Sequence, residues 1–194
     1  MDIKVKKRNG RLQDFRVEKI NANVERACEG ISDVSVSEIV LDAQLQLYDK
    51  ITTKEIDTAL ILSAREKIEK EPNYSYAAGR LLLNTVYKEV FKEGVDSDAF
   101  RLQYRKSFIQ GIKKLVKSGK LNERMLEYDL GALSEAIRIR RDNSFKYLGI
   151  QILTDRYFIR EDGKIMEAPK FLDASCHGTC SQRRKQGRMG NQVL

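Results

Sequence analysis

Two four-residue signatures, Ser35-x-x-Glu38 and Thr52-x-x-Glu55, constrain this chain more than any other feature. In each, a hydroxyl residue precedes a glutamate by three positions. Hydroxyl and carboxylate can then satisfy each other's backbone donors at a helix N-terminus. The first signature predicts a helix running to about Tyr48, with Ile39, Leu41, Leu45 and Leu47 as its apolar residues. The second predicts a longer helix that buries Ile56, Leu60, Ala64 and Ile68 and is ended by Pro72. Upstream, Val17, Ile20, Val24, Ala27 and Cys28 follow helical spacing, and Gly30 is a natural stop. Downstream, Tyr74 to Phe91 forms a fourth helical stretch, stopped by Gly94.

Ahead of these helices, Ile3 and Val5 alternate with lysines, a short strand pattern. Asn9-Gly10 follows and predicts a type I′ turn, which needs positive φ at both positions. Leu12 and Phe15 read as the return strand, so a small hairpin ends near Arg16. Residues 1–93 thus read as one unit, a β-hairpin with four helices and its own core. Residues 94–172 read as a further helical region, with helices over 99–118, 123–128, 133–139 and 145–154. Gly119 is a stop after the first of these, and Asp162-Gly163 signals a second short hairpin. Residues 173–194 have no periodic apolar order, which predicts disorder. The expected class is mainly α, with a small hairpin at each end of the ordered chain.

Composition agrees with helices: the 194 residues include only 2 prolines and no Trp, and 33% are charged. No apolar run approaches the ~20 residues needed to span a bilayer, and the N-terminus lacks the apolar stretch of a secretory signal. Three cysteines, Cys28, Cys176 and Cys180, make no disulfide framework, so a reducing cytoplasm is the expected compartment. Cys28 falls on an apolar helix face and reads as core. Cys176, His177 and Cys180 lack the second Cys-x-x-Cys half of a zinc site and the residue order of a haem site, so no metal is assigned.

A net charge of +8 favours anionic ligands. The strongest candidate cradle is the first hairpin with the helix behind it. Lys7 and Arg8 sit on the turn, and Lys19 lies in the first turns of a helix, where backbone N–H groups also favour phosphate. Thr53, Ile56 and Asp57 begin the third helix and could line a gap for a base or ribose; Lys88 could reach over it. Charge pattern alone equally describes a solvated surface, and Phe15 and Ile20 by themselves read as core.

Several motifs resemble a known family. Lys7-Arg8-Asn9-Gly10, Phe15, Lys19-Ile20 and Ala27-Cys28-Glu29-Gly30 are similar to the ATP-cone domain, as is the run from Tyr48 to Ile56. The stretch Glu71-Pro72-Asn73-Tyr74-Ser75-Tyr76-Ala77-Ala78-Gly79-Arg80-Leu81 is similar to the helix after the cone's proline in ribonucleotide reductase large subunits. Asp142-Asn143-Ser144-Phe145-Lys146-Tyr147, Gln151-Ile152-Leu153, Tyr157-Phe158 and Ala168-Pro169-Lys170-Phe171 resemble the class I large subunit as it enters its catalytic barrel.

The resemblance implies a regulatory region that binds ATP or dATP, with Mg2+. Its nucleotide contacts would be Val5, Lys7, Arg8, Gln13, Lys19, Ile20, Thr53, Ile56, Asp57 and Lys88. Gln13 stands where many members have Glu, Arg16 where some have Asn, and Asp57 where several have His, which bears on discrimination between ATP and dATP. The family reduces ribonucleoside diphosphates with a thiyl radical and a redox cysteine pair. Those residues lie downstream of position 172, so no catalytic residue is expected here. Implied partners are other large subunits and the radical-generating small subunit.

After Leu172 the family continues with an apolar helix that residues 173–194 do not match, which suggests an out-of-frame tail. Two alternatives remain open. One is a stand-alone ATP-cone module. The other is a small basic nucleic-acid-binding protein using Lys113, Lys114, Lys117, Lys120 and the cluster from Arg138 to Arg141, although no recognition motif accompanies them.

Overall fold

The computed structural model describes residues 3–91, 98–161 and 163–166. Two antiparallel strands, β1 (Lys4–Lys6) and β2 (Leu12–Asp14), open the chain. Four helices follow: α1 (Val17–Cys28), α2 (Val36–Gln44), α3 (Thr53–Glu66) and α4 (Tyr74–Phe91). Beyond them come α5 (Asp98–Lys117), α6 (Leu130–Ala136), α7 (Tyr147–Ile152) and the paired strands β3 (Arg160–Glu161) and β4 (Lys164–Ile165). The architecture is mainly α, as the sequence predicts. The expected stop at Gly94, the motif from Ala168 to Phe171, the cysteines at 176 and 180 and the disorder and reading frame of 173–194 lie outside the described residues.

Contacts divide the chain into two compact units that do not follow chain order. The first holds residues up to Val86 and takes back Asn143–Tyr157. The second holds Tyr87–Asp142 and the residues from Phe158 onward.

The core of the first unit joins Val5 of β1, Ile20 and Val24 of α1, Ile39 and Val40 of α2, Ile56 and Leu60 of α3, and Ala77 and Leu81 of α4. β1 shows the pleat directly, with Val5 buried between exposed Lys4 and Lys6. Gly30, at φ 70°, follows α1 in the left-handed region as its position predicts.

Three local expectations change. The hairpin turn is not type I′. Lys7 O accepts from Gly10 N at 2.9 Å, Lys7 N donates to Arg11 O at 2.9 Å, and within the turn only Gly10 has positive φ, at 80°. This is the three-residue hairpin loop closed by a glycine bulge, and Asn9 instead uses its side-chain oxygen to accept from Arg11 N at 3.1 Å. Second, the two capping signatures behave differently. Thr52 and Glu55 close a reciprocal box on α3. At α2 only Ser35 caps, accepting from Glu38 N at 3.3 Å. The Glu38 carboxylate turns to Tyr74 Oη at 3.3 Å and Lys67 Nζ at 3.4 Å.

Third, α2 ends at Gln44 rather than near Tyr48. Leu41 and Leu45 are 60% and 87% exposed, while Val40 and Ala43 are buried. Residues 49–52 are drawn instead to the free edge of β1. Lys50 N donates to Lys4 O at 2.8 Å, Lys6 N donates to Ile51 O at 2.9 Å, and Lys6 bridges Thr52 in parallel. A helix continuing through Tyr48 could not supply those extended partners.

The second unit has an aromatic centre. Tyr104 packs edge-on to Tyr87 at 5.8 Å between ring centroids and lies 5.6 Å from Phe91. Phe108, Ile112 and Leu115 continue this buried face along α5. The expected helices over 123–128, 133–139 and 145–154 are shorter or displaced. They are a 3-10 turn at Glu123–Leu126, α6 followed by a 3-10 turn at Ile139–Ser144, and α7 running into a π-turn at Leu153–Tyr157. Among the described residues no helix is long and apolar enough to cross a membrane.

Candidate functional site

Apart from Lys88, the residues singled out from sequence lie where the hairpin meets the starts of α1 and α3. Two pieces of backbone bring this about. β2 ends at Asp14 and α1 begins at Val17, so the hairpin feeds directly into the helix. On its other side β1 is stitched to the segment preceding α3 by the bonds at Lys4 and Lys6. Asp49 adds to this seam, its Oδ1 accepting from Lys4 N at 3.0 Å. Sequence reasoning missed the seam. The only local hint is Lys50, whose φ of 64° is rare outside glycine and is fixed by the long-range pairing.

The candidate side chains divide by burial. Val5, Ile20 and Ile56 belong to the shared core of the first unit and form its apolar floor here. Arg8, Gln13 and Lys19 are exposed, while Lys7 and Thr53 are half-buried. Gln13 lies opposite Val5 in the strand register. Asp57 is buried at 8% exposure, one turn into α3. Lys88 falls in the second compact unit, two residues beyond the point where α4 leaves the first.

Electrostatics separate the two helix starts. α1 has no side-chain cap; Arg16 occupies the N-cap position in extended conformation. The first turn closes through the backbone, with Lys19 N donating to Arg16 O at 3.3 Å, and no side-chain cap competes for its remaining N–H groups. Between residues 3 and 19 seven lysines and arginines stand against two acids, Asp14 and Glu18. At α3 side chains already engage two of the amides. Thr52 Oγ1 accepts from Glu55 N at 3.2 Å, and Thr52 N donates to Glu55 Oε2 at 2.8 Å. Hydrogen bonds from the Thr52 hydroxyl and backbone, then from Tyr48, hold the Glu55 carboxyl below its ordinary pKa. An ionised carboxylate thus stands at the start of α3, whereas α1 and the hairpin turn are cationic. Phosphate is favoured at the latter and disfavoured at the former.

Comparison with known proteins agrees with this geometry. The family model described as the ATP cone domain matches residues 3–89. That span runs from the first residue of the hairpin to the last turn of α4 and takes in every candidate residue.

Residues 3–89 are an ATP cone domain.

The wider chain is similar to ribonucleoside-diphosphate reductase α subunits. It is 35% identical to that of Chlamydia muridarum over 156 residues and 36% identical to that of Helicobacter pylori over 173 residues. It is 29% identical to reductase 1 subunit alpha of Salmonella typhimurium over 175 residues. These matches cover 78%, 88% and 87% of this chain but only 14%, 21% and 22% of the respective relatives. The similarity therefore extends past the ATP cone match into residues of the second unit, and the chain spans less than a quarter of the length of these relatives.

Proposed function

We propose that this chain is the allosteric nucleotide-binding region of a ribonucleoside-diphosphate reductase α subunit, with ATP or dATP as its ligand. The observation that carries the reading is the seam between β1 and the start of α3. It sets a cationic turn and a helix start without a side-chain cap beside a second helix start closed by its own capping box. The triphosphate belongs on the first side, against Lys7, Arg8 and Lys19. The base and ribose belong on the second, against Thr53, Ile56 and Asp57. A buried carboxylate at Asp57 is a suitable acceptor for an adenine amino group and an unsuitable neighbour for phosphate. Val5 and Ile20 form the apolar floor, and Gln13 flanks it. Mg2+ enters with the triphosphate, which it binds through phosphate oxygens.

Within a full-length α subunit the region would act by linkage. A nucleotide that binds one assembly more tightly shifts the population toward it. Self-association of α subunits and docking of the radical-generating partner are the equilibria that ATP and dATP would bias. The present residues take part in regulation, and reduction of the ribonucleotide belongs to the remainder of the longer protein.

Calorimetric titration with ATP, dATP and GTP tests the reading, with random duplex DNA at two salt concentrations as the control. Adenine nucleotides are expected to bind selectively. The double variant Lys7→Ala/Arg8→Ala is expected to weaken binding by two charge-assisted hydrogen bonds, about 1.5–3 kcal/mol each. Indifference of the folded chain to millimolar ATP and dATP, or salt-sensitive DNA binding in their place, overturns the proposal.

A further inference from the structure

We infer that residues 143–157 are the output element of the nucleotide site: they are held by Arg65 at the far end of α3 and by Arg80 of α4, which also binds the far end of α1. The inference rests on the nucleotide reading above and adds a route by which occupancy is passed on.

α1 and α3 are rods of 12 and 14 residues. At ~1.5 Å per residue each extends roughly 20 Å. Lys19 and Ile20 sit near the start of α1; Thr53, Ile56 and Asp57 sit at the start of α3. At the other end of α1, Arg80 Nη1 donates to Ala27 O at 3.1 Å and Glu29 O at 2.6 Å. The same guanidinium donates through Nε to Asn143 O at 3.4 Å. At the other end of α3, the Arg65 guanidinium stands 5.8 Å from the centre of the Tyr147 ring. One returning segment is therefore held directly by the C-terminal end of α3 and, through Arg80 of α4, tied to the C-terminal end of α1.

The approach of that segment to α4 leaves no room for a side chain. A Cβ on Gly79 would lie 2.8 Å from Phe145 O, 3.0 Å from Tyr147 N and 3.1 Å from the Lys146 carbonyl carbon. All three are backbone atoms, so the segment itself would have to move. Tyr147 packs against the same core that contains Val5, Ile20 and Ile56. Lys146 adds a contact over the Tyr76 ring at 5.4 Å. The interior of the first unit is thus shared between candidate nucleotide residues and a segment that enters it from beyond the ATP cone match.

Packed helices move as rigid rods, so a ligand that resets the start of α3 also resets Arg65, and one that resets α1 moves the Ala27 and Glu29 carbonyls that anchor Arg80. Seating of residues 143–157 and binding of nucleotide then carry a common coupling free energy, and each must affect the other equally. The segment leads directly to Phe158 and the residues after it, which belong to the second unit.

Amide hydrogen exchange on the 194-residue chain, with and without Mg-ATP, tests this. ATP is expected to slow exchange in residues 17–20 and 52–57 and also in residues 147–157. In the absence of nucleotide, Gly79→Ala is expected to speed exchange in 147–157 while α4 stays helical, because alanine favours a helix more than glycine does. The same variant should change ATP affinity by about fivefold or more. Arg65→Gln removes only the cation over Tyr147 and should act in the same direction more weakly, a safeguard should Gly79→Ala fail to fold. Protection of 17–20 and 52–57 without 147–157 overturns the coupling and leaves nucleotide binding standing. Loss of protection in 147–157 by either variant at unchanged ATP affinity overturns it equally. Protection of neither region overturns the nucleotide reading, and the coupling with it.

Discussion

Cys28 is 8% exposed in the core of the first unit, and burial pushes its thiol up to about 11, partly offset by Arg80. An ordinary thiol titrates near 8.5, so its thiolate at neutral pH is scarcer by roughly two orders of magnitude. Peptide mapping after iodoacetamide treatment should therefore find Cys28 unmodified in the folded chain and modified in denaturant. Rapid labelling under native conditions contradicts its place in the core. Asp142 makes a different case. This buried carboxylate accepts from the Tyr104 hydroxyl at 2.5 Å and also from the Tyr87 hydroxyl. Burial, then the neighbouring Tyr104 and Asp142, raises the Tyr87 pKa well above that of an ordinary phenol. The contribution of this raised pKa to stability is complete below the unfolded value of ~10 and declines as pH rises toward the folded value. Asp142→Ala removes the acceptor that two buried hydroxyls share, an expected loss of about 1–3 kcal/mol that urea unfolding can measure. An unchanged urea midpoint would show that the two phenols find other partners.

At the scale of elements, the informative pair is α2 and α3. Their N-terminal signatures are alike in sequence, yet only Thr52 and Glu55 satisfy each other. Glu38 is diverted by Tyr74 and by Lys67, whose Nζ also lies 2.7 Å from Asp42. Thr52→Ala should thus remove a hydroxyl cap, at a cost of about 1 kcal/mol, and also unsettle the seam that joins α3 to β1. Ser35→Ala should cost less, since its glutamate is engaged elsewhere; equal costs in denaturant melts contradict that distinction. The lowered pKa of Glu55 gives the α3 start an acid dependence of known sign. Its contribution is present above the ordinary carboxylate value of ~4.3 and fades as pH falls through the lowered folded value. Glu55→Gln should flatten that part of the acid-unfolding curve, and a curve identical to wild type argues against it.

For the whole molecule, the division into two units makes ligand stabilisation a local test. ATP bound to the native first unit at about 100-fold above its dissociation constant should stabilise that unit by about 2.7 kcal/mol. Exchange of core amides in α1 and α3 should report this gain, and exchange in α5 should report only what passes through the rest of the chain. An equal gain everywhere would mean that the units unfold as one; no gain would mean no binding.

Much of the first unit was readable in advance because its signals are local. The hairpin, the bounds of α1, the start of α3, the stop at Gly30 and the apolar face from Ile56 to Ala64 depend on neighbours within a turn or two, whereas α3 ends at Glu66 and passes into a 3-10 turn before the expected stop at Pro72. Motif order likewise pointed to the ATP cone. Leu41 and Leu45 were misjudged because an apolar residue on a short helix does not show which face its partners cover. α2 stops early because β1 recruits residues 50–52 as edge partners, a contact across more than forty positions.

The amino-acid order by itself determined where α1 to α4 begin, which residues could attract phosphate and which family the chain resembles, since caps, charges and motifs are short-range properties. Only the tertiary structure decided that Glu38 leaves its cap, that Lys50 is held at positive φ, and that Asn143–Tyr157 returns to the first unit. Those outcomes depend on backbone edges, buried hydroxyls and the space above Gly79, which exist only once distant segments have met.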